Sequence, residues 1–388
     1  MRTIVKMARD RRFADVEARF APELRAAVSA ETLRVAWASE MSKNGPVTTI
    51  GEPRTEPGEA GLTRVSVPVN CERGGFTFVT SVDGEGLLHG LRLAPLVTAS
   101  WAPPRYAKPR RFTEREVTVG GRPGALTLPR RRRAGVVLLG PGAVDRDETT
   151  GPNKPLKDLA WGLASRGIAV VRFDNVPTAA TISEEYLPYT MDAARLLRPL
   201  VHNVFLVGHS LGGKAAPRVA AADPSIAGLV ILAGDTQPMH RAAVRVARYL
   251  ASVDPGNEAA LAAVTKQAAV VEHGLTPATP ATELPFGWPA SYWLDLRDYD
   301  PVATAASLGK PTLILQGGRD YQVTVADDLP RWRTLADATI RVYEADDHLF
   351  FAGEGPSTPA GYQQPQHVDP AVIADIASWI RSRESTVP

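Results

Sequence analysis

Cysteine is almost absent from this chain of 388 residues. Cys71 stands alone, so no intrachain disulfide can form, and a reducing compartment suits the composition. An excess of charge of one sign is missing as well. The formal net charge is +2 at pH 7, which removes the electrostatic ground for expecting nucleic acid or an anionic membrane as a partner. No apolar run approaches bilayer-spanning length, and the first residues carry no hydrophobic segment of the signal-peptide kind; the expectation is a cytoplasmic protein. The 7 histidines show no paired ligand spacing, so no metal is expected. Neither a phosphate-cradling G-x-x-x-x-G-K loop nor a dinucleotide fingerprint occurs, so no cofactor is implied. The run Arg130-Arg131-Arg132-Arg133 departs from the even charge balance; bracketed by strand candidates, it reads as a solvated turn.

What is present fits a globular enzyme with a sizeable core. Hydrophobic residues make up 44% and charged residues 22%, over a length that suits two domains. Phe13, Val16, Phe20, Leu24, Val28, Leu33 and Trp37 recur at helical spacing, interrupted near Pro22. Alternation follows, through Leu62, Val65, Val67 and Val69, then Phe76 to Val79, then Leu87 to Leu93. Val82-Asp83-Gly84-Glu85-Gly86 is a hairpin signal between them. Residues 1–102 therefore read as a small α+β domain, helices on a curled antiparallel sheet. No titratable cluster there suggests chemistry. Its role is packing or dimerisation, giving a homodimer through this domain, or else a wall at the substrate entrance. Residues 103–112, opening Pro103-Pro104, read as a stiff linker.

From residue 113 strands alternate with helices. Val117 to Val119 and Ala125 to Leu128 form a hairpin; Gly135 to Leu139, Ile168 to Phe173, Val204 to Val207 and Gly228 to Leu232 are buried strands. Leu156 to Arg166 and Tyr189 to Leu200 are helices. That alternation predicts an α/β class with a mostly parallel sheet covered by helices on both faces. It breaks over about 236–300, where Arg241 to Leu250 and Glu258 to Glu272 are helical and the stretch to Trp293 is rich in proline and aromatics. This insertion is expected to be a cap. Phe286, Trp288, Tyr292 and Trp293 either line an apolar pocket or fasten the cap, and Trp288, Tyr292 and Trp293 are taken as substrate-binding.

The sharpest signal is Gly208-His209-Ser210-Leu211-Gly212, directly after the strand candidate and opening a helix at Gly213. A G-x-S-x-G in that context forces the serine onto a tight turn, with its hydroxyl standing clear of the sheet edge. Such a nucleophile needs a base, and the base needs an orienting carboxylate. Downstream, Asp320 leaves the candidate strand Thr312 to Gln316, and His348 lies in the loop behind Thr339 to Tyr343. The order Ser, Asp, His is the one this architecture requires. The expected triad is Ser210, Asp320 and His348, with Asp346 and Asp347 as rival carboxylates.

Further stretches carry a resemblance: Asp145-Arg146-Asp147-Glu148-Thr149, Lys157 to Ala164, Gly208 to Gly213, Pro289 to Trp293, His348-Leu349-Phe350 and Gly353 to Ser357. On these the chain, from about residue 112 onward, resembles an α/β-hydrolase of a bacterial esterase branch related to dienelactone hydrolases and prolyl oligopeptidase-type enzymes. The resemblance implies an α/β-hydrolase fold with a cap insertion, and a cystatin-like domain in front. It also implies an oxyanion hole with one donor at the Leu211 amide and a second in the loop after an early strand. Here this sequence departs from its relatives: aligned on Asp145-Arg146-Asp147, the donor position falls on Pro141, which has no N–H. A shifted loop in which Gly142 donates is the favoured outcome, with Pro141 lining the substrate site; a slow hydrolase and a changed reaction are the other two. Asn175, where relatives carry a basic residue, is a second departure. The function expected is a serine hydrolase cleaving an ester or thioester of a small-molecule acyl substrate. A specialised acyl-transfer or cyclisation enzyme, and a binding protein on a hydrolase scaffold, stay open beside it.

Overall fold

The computed structural model describes residues 1–57, 61–96, 101–175 and 179–384. The chain divides into two compact units, Met1–Ser100 and Trp101–Pro388. No helix among the described residues is long and apolar enough to cross a membrane.

The N-terminal unit runs α1 (Arg2–Arg9), α2 (Phe13–Glu17), α3 (Pro22–Ala27) and α4 (Ala30–Asn44), then β1 (Val47–Ile50), β2 (Arg54–Pro57), β3 (Thr63–Cys71), β4 (Gly74–Val82) and β5 (Leu88–Pro95). The helical stretch from Phe13 is cut as its proline suggests, because Pro22 fits the first turn of a new helix, where no N–H is needed. Its sheet is antiparallel in the order β1-β3-β4-β5, with β2 also on β3. Alternate residues of β3 and β4 are buried. Val65, Val67, Val69, Phe76 and Phe78 form the core with Phe13, Phe20, Leu33 and Trp37 from the helices. Trp37 meets Phe76 edge-on at 5.1 Å. This is an α+β unit.

The second unit begins with β6 (Phe112–Val119), β7 (Arg122–Pro129), β8 (Ala134–Leu139), α5 (Pro155–Ala164), β9 (Ala169–Phe173) and α6 (Ile182–Leu197). It continues with β10 (Asn203–His209), α7 (Leu211–Ala222), β11 (Ile226–Leu232), α8 (Met239–Val253), α9 (Glu258–His273), α10 (Ala290–Arg297) and α11 (Pro301–Leu308). Then come β12 (Thr312–Gly317), α12 (Leu329–Trp332), β13 (Ala338–Tyr343) and α13 (Pro370–Glu384). The sheet order is β13-β12-β11-β10-β8-β9-β7-β6. Strands β8 to β13 pair in parallel, and the β6–β7 hairpin adds antiparallel to β9. Swapping β8 and β9 in space relative to chain order puts β8 beside β10, so the loop leaving β8 lies next to the one leaving β10. This is the α/β-hydrolase arrangement, with the insertion between β11 and β12.

Both faces are covered. Val137, Leu139, Val171, Leu206 and Ile231 pack with α6 and α7, while Val136, Leu138, Val170, Phe205 and Val207 pack with α5 and α13. Near-continuous apolar strands are what a sheet buried on both sides demands. Helix α6 starts earlier than the periodicity from Tyr189 suggests. Thr181 caps it by accepting from the Glu184 amide, and Pro188 interrupts the pattern inside. The insertion is tied down over the sheet's carboxyl edge: Arg245 of α8 donates to Gln322 O and Asp328, Tyr249 donates to Ser357 O, and Tyr249 stacks on Tyr321 at 4.9 Å.

Candidate active site

Ser210 is the single residue between the end of β10 and the start of α7, with φ +52° and ψ −119°. A non-glycine residue rests there only when its surroundings over-determine it. The surroundings here are backbone. The Ser210 amide donates to Leu232 O at 2.9 Å, and the Lys214 amide donates to Ser210 O at 3.0 Å. A Cβ on Gly208 would lie 2.3 Å from Gly212 O, and one on Gly212 would lie 2.3 Å from Leu139 O. The two flanking glycines are therefore a packing requirement of this turn.

His348, in the loop after β13, is 4% exposed, and its Nδ1 lies 2.7 Å from Oδ2 of Asp320, in the loop after β12. Oδ1 of Asp320 accepts from the amides of Gln322 at 2.7 Å and Val323 at 3.0 Å, which leaves Oδ2 aimed at the ring. A carboxylate only accepts, so Nδ1 carries a hydrogen, and in the neutral tautomer this selects the lone pair is on Nε2. The rival carboxylates are elsewhere. Oδ1 of Asp347 accepts from the amides of Leu349 and Phe351, and both oxygens of Asp346 are buried with no hydrogen-bond partner.

The chain also holds the His348 loop against the serine turn through residues that the sequence left without a role. His209, the neighbour of Ser210, puts Nδ1 3.1 Å from Glu148 Oε2 and Nε2 2.8 Å from His348 O. Its ring centre is 4.8 Å from that of His348. Facing a carboxyl group and a carbonyl oxygen, the ring is favoured in its doubly protonated form. Burial alone favours the neutral ring, but the charge and hydrogen bond of Glu148, joined by His348 O and Asp320, outweigh it and raise the pKa. His209 stands inside the G-x-S-x-G and Glu148 inside the Asp145–Thr149 run, which were the signals available for both.

At the β8 loop the amide expected as the second donor is engaged within the fold. The Gly142 amide is not free for a substrate: it donates to Tyr186 Oη at 2.9 Å, and Tyr186 donates on to Gly140 O at 2.7 Å. Asn175 Nδ2 donates to Gly142 O at 2.7 Å, so the second departure from the relatives clamps the same loop. The phenol, fully buried on α6, adds a shorter bond to an amide that also donates to Gly140 O at 3.2 Å. Leu211 opens α7, and its amide has no partner within the helix. Pro141, half-buried, precedes Gly142 and offers no N–H.

The cap aromatics divide. Trp288 packs on Tyr292 at 4.7 Å and on Trp293 at 5.7 Å, and the exposed Phe286 covers Trp288 at 5.0 Å. Tyr292, 2% exposed, donates to Oε2 of Glu185 at 2.5 Å. Trp293 lines a cavity of about 400 Å³ with Lys214, Gln237, His240, Arg241 and Tyr299. Ser210, Asp320 and His348 are not among its walls.

No family profile matches the chain. It is 34% identical over 324 residues to Esterase EstD of Thermotoga maritima, covering 80% of this chain and 77% of that protein. Such a share exceeds the unit that begins at Trp101, so the likeness extends into the N-terminal unit. Similar solved structures include Est1E from Butyrivibrio proteoclasticus, at 12% identity over 70% of this chain and 99% of that one, TM-score 0.47. An esterase from Pyrococcus furiosus matches at 14% identity over 74% and 96%, TM-score 0.46. Dienelactone hydrolase from Anabaena variabilis matches at 17% over 70% and 98%, TM-score 0.43. On its sheet order, its serine turn and its likeness to Esterase EstD, the chain belongs to the α/β-hydrolase esterases and is an ester-hydrolysing enzyme.

Proposed function

We propose that the enzyme cleaves carboxylic esters, or thioesters, of a small-molecule substrate through an acyl-enzyme on Ser210. His348 Nε2 takes the proton as Ser210 Oγ attacks the acyl carbon, then returns it to the leaving group. Asp320 holds the ring in the tautomer that leaves Nε2 free and stabilises the imidazolium that forms. Water, activated by the same base, releases the acid. Leu211 N–H is one donor to the developing oxyanion, at the positive end of α7. The observation that carries this reading is the 2.7 Å contact of His348 Nδ1 with Asp320 Oδ2, in a loop that His209 fastens to the serine turn.

The N-terminal unit we assign as a cystatin-like module for self-association; its helices on an antiparallel sheet and the exposed Val35 of α4 support that. Sedimentation of the full chain should show a concentration-dependent dimer, and a monomer throughout would contradict it. The lone Cys71, buried and unpaired, accords with work in the cytoplasm.

Steady-state hydrolysis of p-nitrophenyl esters beside acyl thioesters tests the chemistry. Ser210→Ala should lower kcat by a factor on the order of 10⁴ or more with the fold intact. Activity surviving that substitution would overturn the acyl-enzyme.

A further inference from the structure

Neither Pro141 nor Gly142 offers an unengaged amide as a second oxyanion donor. Pro141 has no N–H, and the Gly142 amide is given to Tyr186. One missing donor of this kind costs about 10²–10³ in kcat. A buried side chain lies beside the same loop. Helix α6 begins just beyond β9, at the carboxyl edge of the sheet, and Glu185 lies in its first turn, 4% exposed. Oε2 accepts from Tyr292 at 2.5 Å, whereas Oε1 is buried with no hydrogen-bond partner. A Cβ built on Gly142 would sit 3.9 Å from that Oε1 and 3.7 Å from Cδ2 of Leu211. The unpartnered oxygen thus lies near the Gly142 loop and the Leu211 side chain, closed off from solvent.

Resting on the acyl-enzyme reading above, we propose that the Glu185 carboxyl is the second oxyanion donor, with its proton on Oε1 and its carbonyl oxygen, Oε2, held by Tyr292. When Ser210 Oγ bonds to the acyl carbon, the C=O π pair moves onto oxygen and the serine proton goes to His348. Glu185 keeps its own proton and shares it in a hydrogen bond. No cation among the described residues pairs with this carboxyl, and an ionised form would face the oxyanion with like charge. The groups around it are Tyr186 of α6 and Tyr292 of α10, with Glu148 committed to His209 and Asp295 to Arg218. Burial pushes the Glu185 pKa up to about 7, against the opposing hydrogen bond from Tyr292. The arrangement is a carboxylic acid kept neutral so that it can donate.

The test is kcat/KM for p-nitrophenyl butyrate against pH, in the full-length wild type, Glu185→Gln, Glu185→Ala and Tyr292→Phe. Wild type should lose activity above about pH 7 as the acid ionises. Glu185→Gln retains an N–H donor, so it should keep activity within about tenfold at pH 6.5 and lose the alkaline fall. Glu185→Ala should lose about 10²–10³ in kcat with little change in KM. Tyr292→Phe removes the bond that lowers the Glu185 pKa, so its alkaline fall should move to higher pH. An alkaline fall that persists in Glu185→Gln, as deprotonation of His209 would give, overturns the proposal; so does Glu185→Gln being as impaired as Glu185→Ala. Should Glu185→Ala fail to fold, the Gln and Phe profiles decide. Fluorophosphonate labelling of Ser210 in each variant keeps the two ideas apart. Labelling with an unshifted profile sinks Glu185 alone, and no labelling of wild type sinks the serine as well.

Discussion

At φ +52°, Ser210 holds a backbone conformation that only close neighbours without side chains permit, and the same crowding that strains it keeps its hydroxyl at the sheet edge. Gly212→Ala brings a methyl against the carbonyl of Leu139, which belongs to the β8 backbone and cannot step aside. We expect a loss of about 3 kcal/mol or more, read as a fall in Tm of about 5–10 °C; an unchanged Tm would mean that the turn has more room than the structure shows. Asp320 offers a finer test. Asp320→Asn can keep the amide contacts at Oδ1 yet presents an N–H to His348, and so favours the wrong tautomer. kcat should fall by about 10⁴ while circular dichroism stays the same.

Among the elements, the join between β10 and the loop after β13 matters most, because it is made by a charged pair and not by packing alone. Glu148 and His209 are both buried. Folding raises the His209 pKa, so the contribution of the pair is complete below the unfolded imidazole value of about 6.5 and is lost as pH rises through the higher folded value. Glu148→Gln should therefore cost about 2 kcal/mol in urea unfolding at pH 6 and clearly less at pH 9. A difference that does not change with pH would show that the ring is not charged. This join was not legible in the sequence, since its partners lie 61 and 139 residues from His209. The same holds for Tyr186. Pro188 hides the start of α6, so nothing local tells that a phenol 44 residues away will take the Gly142 amide. The serine turn was legible because strand, glycines and helix follow one another directly, and the carboxylate and imidazole were legible because each comes just after an apolar strand.

Over the whole molecule, the sheet order brings together loops that leave β8, β10, β12 and β13 at one edge, with α6 and the cap helices α8 and α10 closing over them. The alternation of strands and helices foretold a covered, mostly parallel sheet. Which amide would be spent inside the fold depended on contacts that only the closed structure supplies. Every step of the proposed hydrolysis depends on Ser210 being the group that is acylated. Mass mapping after reaction of the full-length enzyme with a fluorophosphonate asks this directly. The adduct should be found on the peptide carrying Ser210, with loss of esterase activity in step and no labelling of Ser210→Ala. An adduct on another residue of an active preparation, or full inhibition without modification of Ser210, would contradict it.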